Sequence, residues 1–141
     1  MRVNIGPYPK KSSDTRKISV TIDGYDCWNA DHTLALIIHP LLEKLSTSKQ
    51  GSPNVDNEDV PEQLWISDQK LPYDEFDINF HKRWHWILHE MVWCFECLAF
   101  CKDESSFFDN GNFDEEGYAA HTARIDNGLR LFGKYYRALW T

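Results

Sequence analysis

No run of apolar residues in this sequence approaches the roughly 20 needed to cross a bilayer, and Met1 to Lys11 lacks the apolar stretch of a signal peptide. Both absences lead us to expect a chain that stays in the cytosol where it is made. Cysteine is scarce as well. Of the four, Cys94, Cys97 and Cys101 fall inside one expected helix and Cys27 lies far away. That spacing builds no disulfide framework, so reduced thiols are expected. Internal repeats and low-complexity tracts are absent. An excess of positive charge is missing too: the net charge of -7 speaks against general affinity for long nucleic acids, which rests on basic surfaces that displace counterions from phosphates.

What the chain does have is apolar and aromatic content, 42% hydrophobic and 14% aromatic in 141 residues, enough for one folded core. Its charge is segregated. From Met1 to Ile22 five basic residues (Arg2, Lys10, Lys11, Arg16, Lys17) face one acid, Asp14, and from Tyr118 to the end Arg124, Arg130, Lys134 and Arg137 face Asp126. Gly51 to Asp77 carries eight acids and one lysine, and Asp103 to Glu116 six acids and no base. Acidic connections framing a more basic body suit a small anion and repel long polyanions; the plainer alternative is solvated loops kept soluble by charge.

The periodicities predict an α+β fold, a short N-terminal β-hairpin or paired strands followed by three main helices, in a single domain. Val3 and Ile5 alternate with polar residues before Gly6-Pro7, and Ile18, Val20 and Ile22 do so before Asp23-Gly24, giving strands within about 1–24. Gly6 to Arg16 between them reads as a mobile loop of the kind a deletion leaves. Asn29 caps a helix over about 29–47, with Leu34, Ile38, Leu41 and Leu45 in register and Pro40 expected to kink or break it near Leu36. An acidic loop, 51–77, is anchored by Val55, Val60, Leu64 and Trp65. A helix over about 77–102, apolar nearly all round from Phe80 to Leu98, should be central. After a turn at Asp109-Asn110-Gly111-Asn112, a last helix spans about 113–139. Its Gly128 and Gly133 each cost about 1 kcal/mol against alanine and call for a close helix crossing or a closely approaching ligand.

Several constellations could carry chemistry. His81, His85 and His89 recur every four residues along one helix, but they span about 12 Å by helical rise, too far for one ion. A continuous helix also lacks the turn that Cys94 and Cys97 would need for a zinc knuckle, so no metal and no cofactor is expected. Glu90 and Glu96, six apart, miss the spacing by which helical carboxylates share magnesium in all-helical nucleotide pyrophosphatases. Asp31 and His32 at a helix start are an acid–base candidate or simply a cap. Tyr25, Trp28, Trp84 and Trp86 offer flat faces and Arg83, Arg124 and Arg130 planar cations, the ingredients of a nucleotide pocket or, equally, of a core with ion pairs.

The stretch Tyr25-Asp26-Cys27-Trp28-Asn29-Ala30-Asp31-His32-Thr33-Leu34-Ala35-Leu36-Ile37-Ile38 resembles a family of uncharacterised proteins from large tailed bacteriophages, including phages of marine cyanobacteria. Gly51-Ser52-Pro53 through Glu58-Asp59-Val60-Pro61, His81-Lys82-Arg83-Trp84 and Arg124-Ile125-Asp126-Asn127-Gly128 through Leu131-Phe132-Gly133-Lys134-Tyr135-Tyr136 agree with it, as does Ile5-Gly6-Pro7-Tyr8. Longer members carry an extra segment before the second strand that this chain lacks, and acidic residues where this chain has His85 and His89, which speaks against a shared histidine metal site. The resemblance implies a viral accessory protein in the host cytoplasm, where one job is to sequester the nucleotide signals of host defence in an oligomer, as a sponge. The expectation is therefore a homo-oligomer that binds a small anionic, nucleotide-like ligand without turnover. Arg83, Arg124 and His81 would hold phosphate, and Tyr25 and Trp28 would stack. The alternatives are a nucleotide-acting hydrolase or lyase using Asp31 and His32, and a protein-binding or virion-associated module.

Overall fold

The computed structural model describes residues 1–11, 13–48, 51–66, 78–102, 104–109 and 111–140. The chain divides into two compact units, Met1–Leu34 and Ala35–Thr141.

The first unit is built on an antiparallel pair, β1 (Arg2–Ile5) and β2 (Ile18–Thr21). The register sets Val3 opposite Val20 and Ile5 opposite Ile18, so the alternation of the sequence becomes one apolar and one polar face. The connecting loop is closed at its base: Gly6 N–H donates to the Lys17 carbonyl at 2.9 Å, Arg16 Nε donates to the Gly6 carbonyl at 2.6 Å, and the Arg16 guanidinium lies over the Tyr8 ring at 4.3 Å. A 3₁₀ turn, Gly24–Cys27, follows, and the Asp26 carboxylate reaches back to the Asp23 N–H at 2.7 Å.

Helix α1 (Ala30–Ser48) runs unbroken through Pro40. Of the kink or break expected there, no break occurs: Pro40 and Leu36, whose carbonyl loses its partner, are both exposed, so that carbonyl is not left unpaired in the core. In the second unit α1 contributes Ala35 and Leu42 to the core. The described part of the acidic loop makes two 3₁₀ turns, Asn57–Asp59 and Glu62–Leu64. Val55 and Val60 are its buried anchors, while Trp65 is half exposed and donates its indole N–H to the Val60 carbonyl at 3.1 Å. The rest of that loop, 67–77, lies outside the described residues.

Helix α2 (Phe80–Phe100) is central, as its all-round apolar pattern implies: Trp84, Ile87, Leu88, Met91 and Cys94 are fully buried. It ends at Cys101, whose left-handed backbone (φ 50°) stops the helix. A short hairpin, β3 (Phe108–Asp109) with β4 (Asn112–Phe113), turns the chain through Gly111 at φ 86°. Asp114 then caps α3 (Glu115–Tyr135), accepting from the Gly117 N–H at 2.9 Å. Helices α2 and α3 pack closely at Gly128, where an added Cβ would lie 2.8 Å from Cys94 Sγ. Gly133 meets nothing within 4 Å, so the expected crossing belongs to Gly128 alone. Among the described residues, no helix is long and apolar enough to cross a membrane.

Candidate functional site

The residues expected to hold a ligand fall into different surroundings. Arg83 sits on the core side of α2, 1% exposed, and among the described residues nothing hydrogen-bonds its Nε. Its position four before Ile87 and seven before Glu90 puts it on the helix's buried face, a placement that composition does not reveal. Arg124 on α3 is engaged bidentately by Glu90 of α2, at 2.9 Å from Nε and 2.7 Å from Nη2, and its guanidinium lies 3.8 Å from the centroid of the Trp93 ring. Hydrogen bonding to the Glu90 carboxylate raises the Arg124 pKa further. A fork spent on a carboxylate and stacked on an indole has little left for phosphate.

His81, in the first turn of α2, is exposed, with Nδ1 2.9 Å from Ser52 Oγ and its ring edge-on to Phe80. His85 and His89 are exposed as well. Asp31 is exposed and His32 half-buried at the start of α1. Tyr25 and Trp28 belong to the first unit, 88% and 85% exposed, with ring centroids 6.5 Å apart and planes tilted by 40°. The structure therefore brings Tyr25 and Trp28 together as a pair, and it places Arg83, Arg124 and His81 in the other unit at three separate sets of neighbours.

One cluster was not anticipated. Asp59, in the first 3₁₀ turn of the acidic loop, is buried and receives three donors from α3: Tyr135 Oη at 2.6 Å, Arg130 Nη1 at 2.6 Å and Lys134 Nζ at 2.5 Å. Tyr135 Oη in turn accepts from the Asp56 N–H at 3.1 Å, and Lys134 also reaches Asp56 and Glu58 at 2.8 and 3.2 Å. Burial alone would push the Asp59 pKa up, but the hydrogen bonds from Lys134, Tyr135 and Arg130 outweigh it and hold the carboxyl below its ordinary value. The sequence signal was Arg130 and Lys134 four apart on one helix face, and it was ambiguous, because Asp126, four residues before Arg130 on the same helix, offered a nearer partner than Asp59.

Asp56, Glu58 and Asp59 are also the one group of possible metal ligands among the described residues. The Lys134 ammonium stands among all three carboxylates, in the place a cation would take. With its lone pairs given to three donors, Asp59 is suited to fastening the loop to α3 and not to proton transfer.

Concave surfaces also occur among the described residues. An apolar groove of about 460 Å³ runs between α1 and α3 in the second unit, lined by Ile38, Leu41, Leu42, Leu45, Phe132 and Tyr136. An open basin of about 730 Å³ in the first unit is lined by the loop between β1 and β2, including Tyr8, Lys10, Ser13 and Lys17. No family model, no curated protein and no solved structure matches the chain.

Proposed function

We propose that this chain is a non-catalytic, homo-oligomeric binding protein that holds a small anionic, nucleotide-like ligand through its first unit. The observation that carries the reading is the pair Tyr25 and Trp28. They are the two most exposed large hydrophobic residues described, they adjoin each other at 6.5 Å, and they belong to the unit that carries Lys10 and Lys17 beside an open basin. Exposed aromatic faces accept a base by stacking, and lysines supply charge to a phosphate. Arg124, committed to Glu90, drops out of this version of the site. That the ligand is a host defence signal rests on the resemblance to phage proteins alone.

The test is native mass spectrometry of the full chain with a panel of linear and cyclic nucleotides, followed by release on denaturation. Retention of an unchanged nucleotide by the natural chain, lost in Tyr25→Ala and Trp28→Ala, is the expected result. Retention by neither overturns the reading. Conversion to product, abolished by His32→Ala, would instead establish the hydrolase or lyase alternative. The protein-binding alternative is favoured by a different observation, the uncovered apolar face of the β1–β2 ribbon.

A further inference from the structure

Three charged side chains are buried among the described residues, those of Asp59, Glu90 and Arg83. Both carboxylates are answered, Asp59 by Arg130 and Lys134 and Glu90 by Arg124. Arg83 is not: it is 1% exposed, makes no ion pair with any described residue, and its Nε has no acceptor among them. The indole N–H of Trp84, the next residue, is also buried with no acceptor among the described residues. A guanidinium can only donate, so what it lacks is an acceptor, and its charge requires that acceptor to be negative. Water would satisfy the N–H groups but not the charge, and an uncompensated buried charge is among the costliest features a small domain can carry.

The position of Arg83 favours an anion. It lies at the start of α2, and helical side chains lean back toward the N-terminus, which directs the guanidinium toward the turn at Asn79 and Phe80. That end of a 21-residue helix is the positive pole of the helix dipole, its first turn carries no acid, and Lys82 adds positive charge at the surface. The acidic loop is laid against the same turn by two exposed contacts. Asn79 donates its side-chain amide to the Gln63 carbonyl at 3.3 Å, and Ser52 Oγ meets His81 Nδ1 at 2.9 Å. Asp56, Glu58 and Asp59 of that loop are matched by Lys134 and Arg130, and none of them pairs with Arg83.

We propose that the N-terminal turn of α2 is an anion site, at which the Arg83 guanidinium binds a small phosphate-type oxyanion. The planar fork of a guanidinium matches two phosphate oxygens at once, and the first amides of a helix bind phosphate through their free N–H groups. The contacts from Gln63 and Ser52 are exposed, so an ion can enter by parting them while the Asp59 clasp to α3 stays closed. The site lies in the second unit and is independent of the ligand reading given above for the first.

Inorganic phosphate is the probe, with chloride balanced to hold ionic strength constant. Phosphate should raise the melting temperature of the full chain progressively with its concentration, and equilibrium dialysis should retain one labelled phosphate per chain. Arg83→Lys keeps the positive charge but loses the planar fork, and should weaken retention roughly tenfold with an unchanged circular dichroism spectrum. Arg83→Met should retain none. Tyr25→Ala and Trp28→Ala should retain phosphate as the natural chain does, which separates this site from the one proposed in the first unit. Unlabelled AMP distinguishes the sources of the ion: displacement of the label by less AMP than phosphate makes it the phosphate group of a nucleotide, and displacement by phosphate alone makes it the free ion. A natural chain that neither melts higher in phosphate nor retains it overturns the proposal, whatever the variants do. So does retention that Arg83→Lys and Arg83→Met leave unchanged.

Discussion

Tyr135 on α3 donates its hydroxyl hydrogen to the Asp59 carboxylate at 2.6 Å, across 76 residues of sequence. The same hydroxyl accepts from the Asp56 N–H, so one phenol stitches the 3₁₀ turn of the acidic loop to the last helix through both its donor and its acceptor. The Tyr135 ring packs edge-on to Trp84 of α2 at 5.8 Å, which links this polar clasp to the core.

Because the clasp holds the Asp59 pKa below 3.8, its contribution to stability is fully present above about pH 4. It is lost as pH falls through the folded value. Asp59→Asn keeps the shape but removes the charge that Lys134 and Arg130 face, and should cost about 2–4 kcal/mol at neutral pH. Urea unfolding at neutral pH and at about pH 3 checks both statements. The variant should lose less stability on acidification than the natural chain.

Tyr135 titrates in the opposite direction. Burial and the adjoining Asp59 carboxylate push its phenol up to about 12. A folded value above the ordinary 10.0 means a contribution present below pH 10 and lost as pH rises through the folded value. Ultraviolet titration of the six tyrosines should therefore show one that ionises late, and Tyr135→Phe should delete that step while costing about 1 kcal/mol.

Local pattern carried the sequence reading as far as the elements. Alternation at Val3, Ile5, Ile18, Val20 and Ile22 announced the hairpin, and the all-round apolar character of Phe80 to Leu98 announced a central helix, because both periods are properties of neighbouring residues. The side-chain partners were not legible. Periodicity reports which side of a helix a residue occupies but not which residue of another helix faces it, so nothing near Arg124 in sequence pointed to Glu90, 34 residues away. Asp59 lies in a 3₁₀ turn with no period at all, and among eight acids in that stretch only the tertiary fold distinguishes it. Tyr25 and Trp28 were expected as stacking faces from composition, and their pairing adds only what a three-residue separation in a tight turn permits.

The two glycines of α3 look alike in sequence and should respond oppositely to alanine. At Gly128 the new Cβ would press on Cys94 and approach the Glu90 carbonyl to 3.4 Å, so Gly128→Ala should destabilise by about 1–3 kcal/mol. At Gly133 there is open space, and Gly133→Ala should stabilise by about 1 kcal/mol through helix propensity and a less mobile unfolded chain. Thermal melts of the pair read the contrast directly, and equal shifts would contradict the packing at Gly128.

The cysteines provide a probe of the same crossing. Cys27 and Cys101 are exposed, whereas Cys94 and Cys97 are buried in α2. Burial pushes the Cys94 thiol up to about 12, and its sulfur donates to the Ile125 carbonyl of α3 at 3.3 Å. Since the thiolate is the nucleophile, a thiol-directed reagent at neutral pH should modify two groups at once and the other two only as α2 and α3 separate. The slow phase then measures the opening of that interface. Gly128→Ala, which crowds Cys94 directly, should accelerate it several-fold while the fast phase stays the same, and Gly133→Ala should slow it. Four groups reacting together in the natural chain would mean that the α2–α3 contact is open in solution.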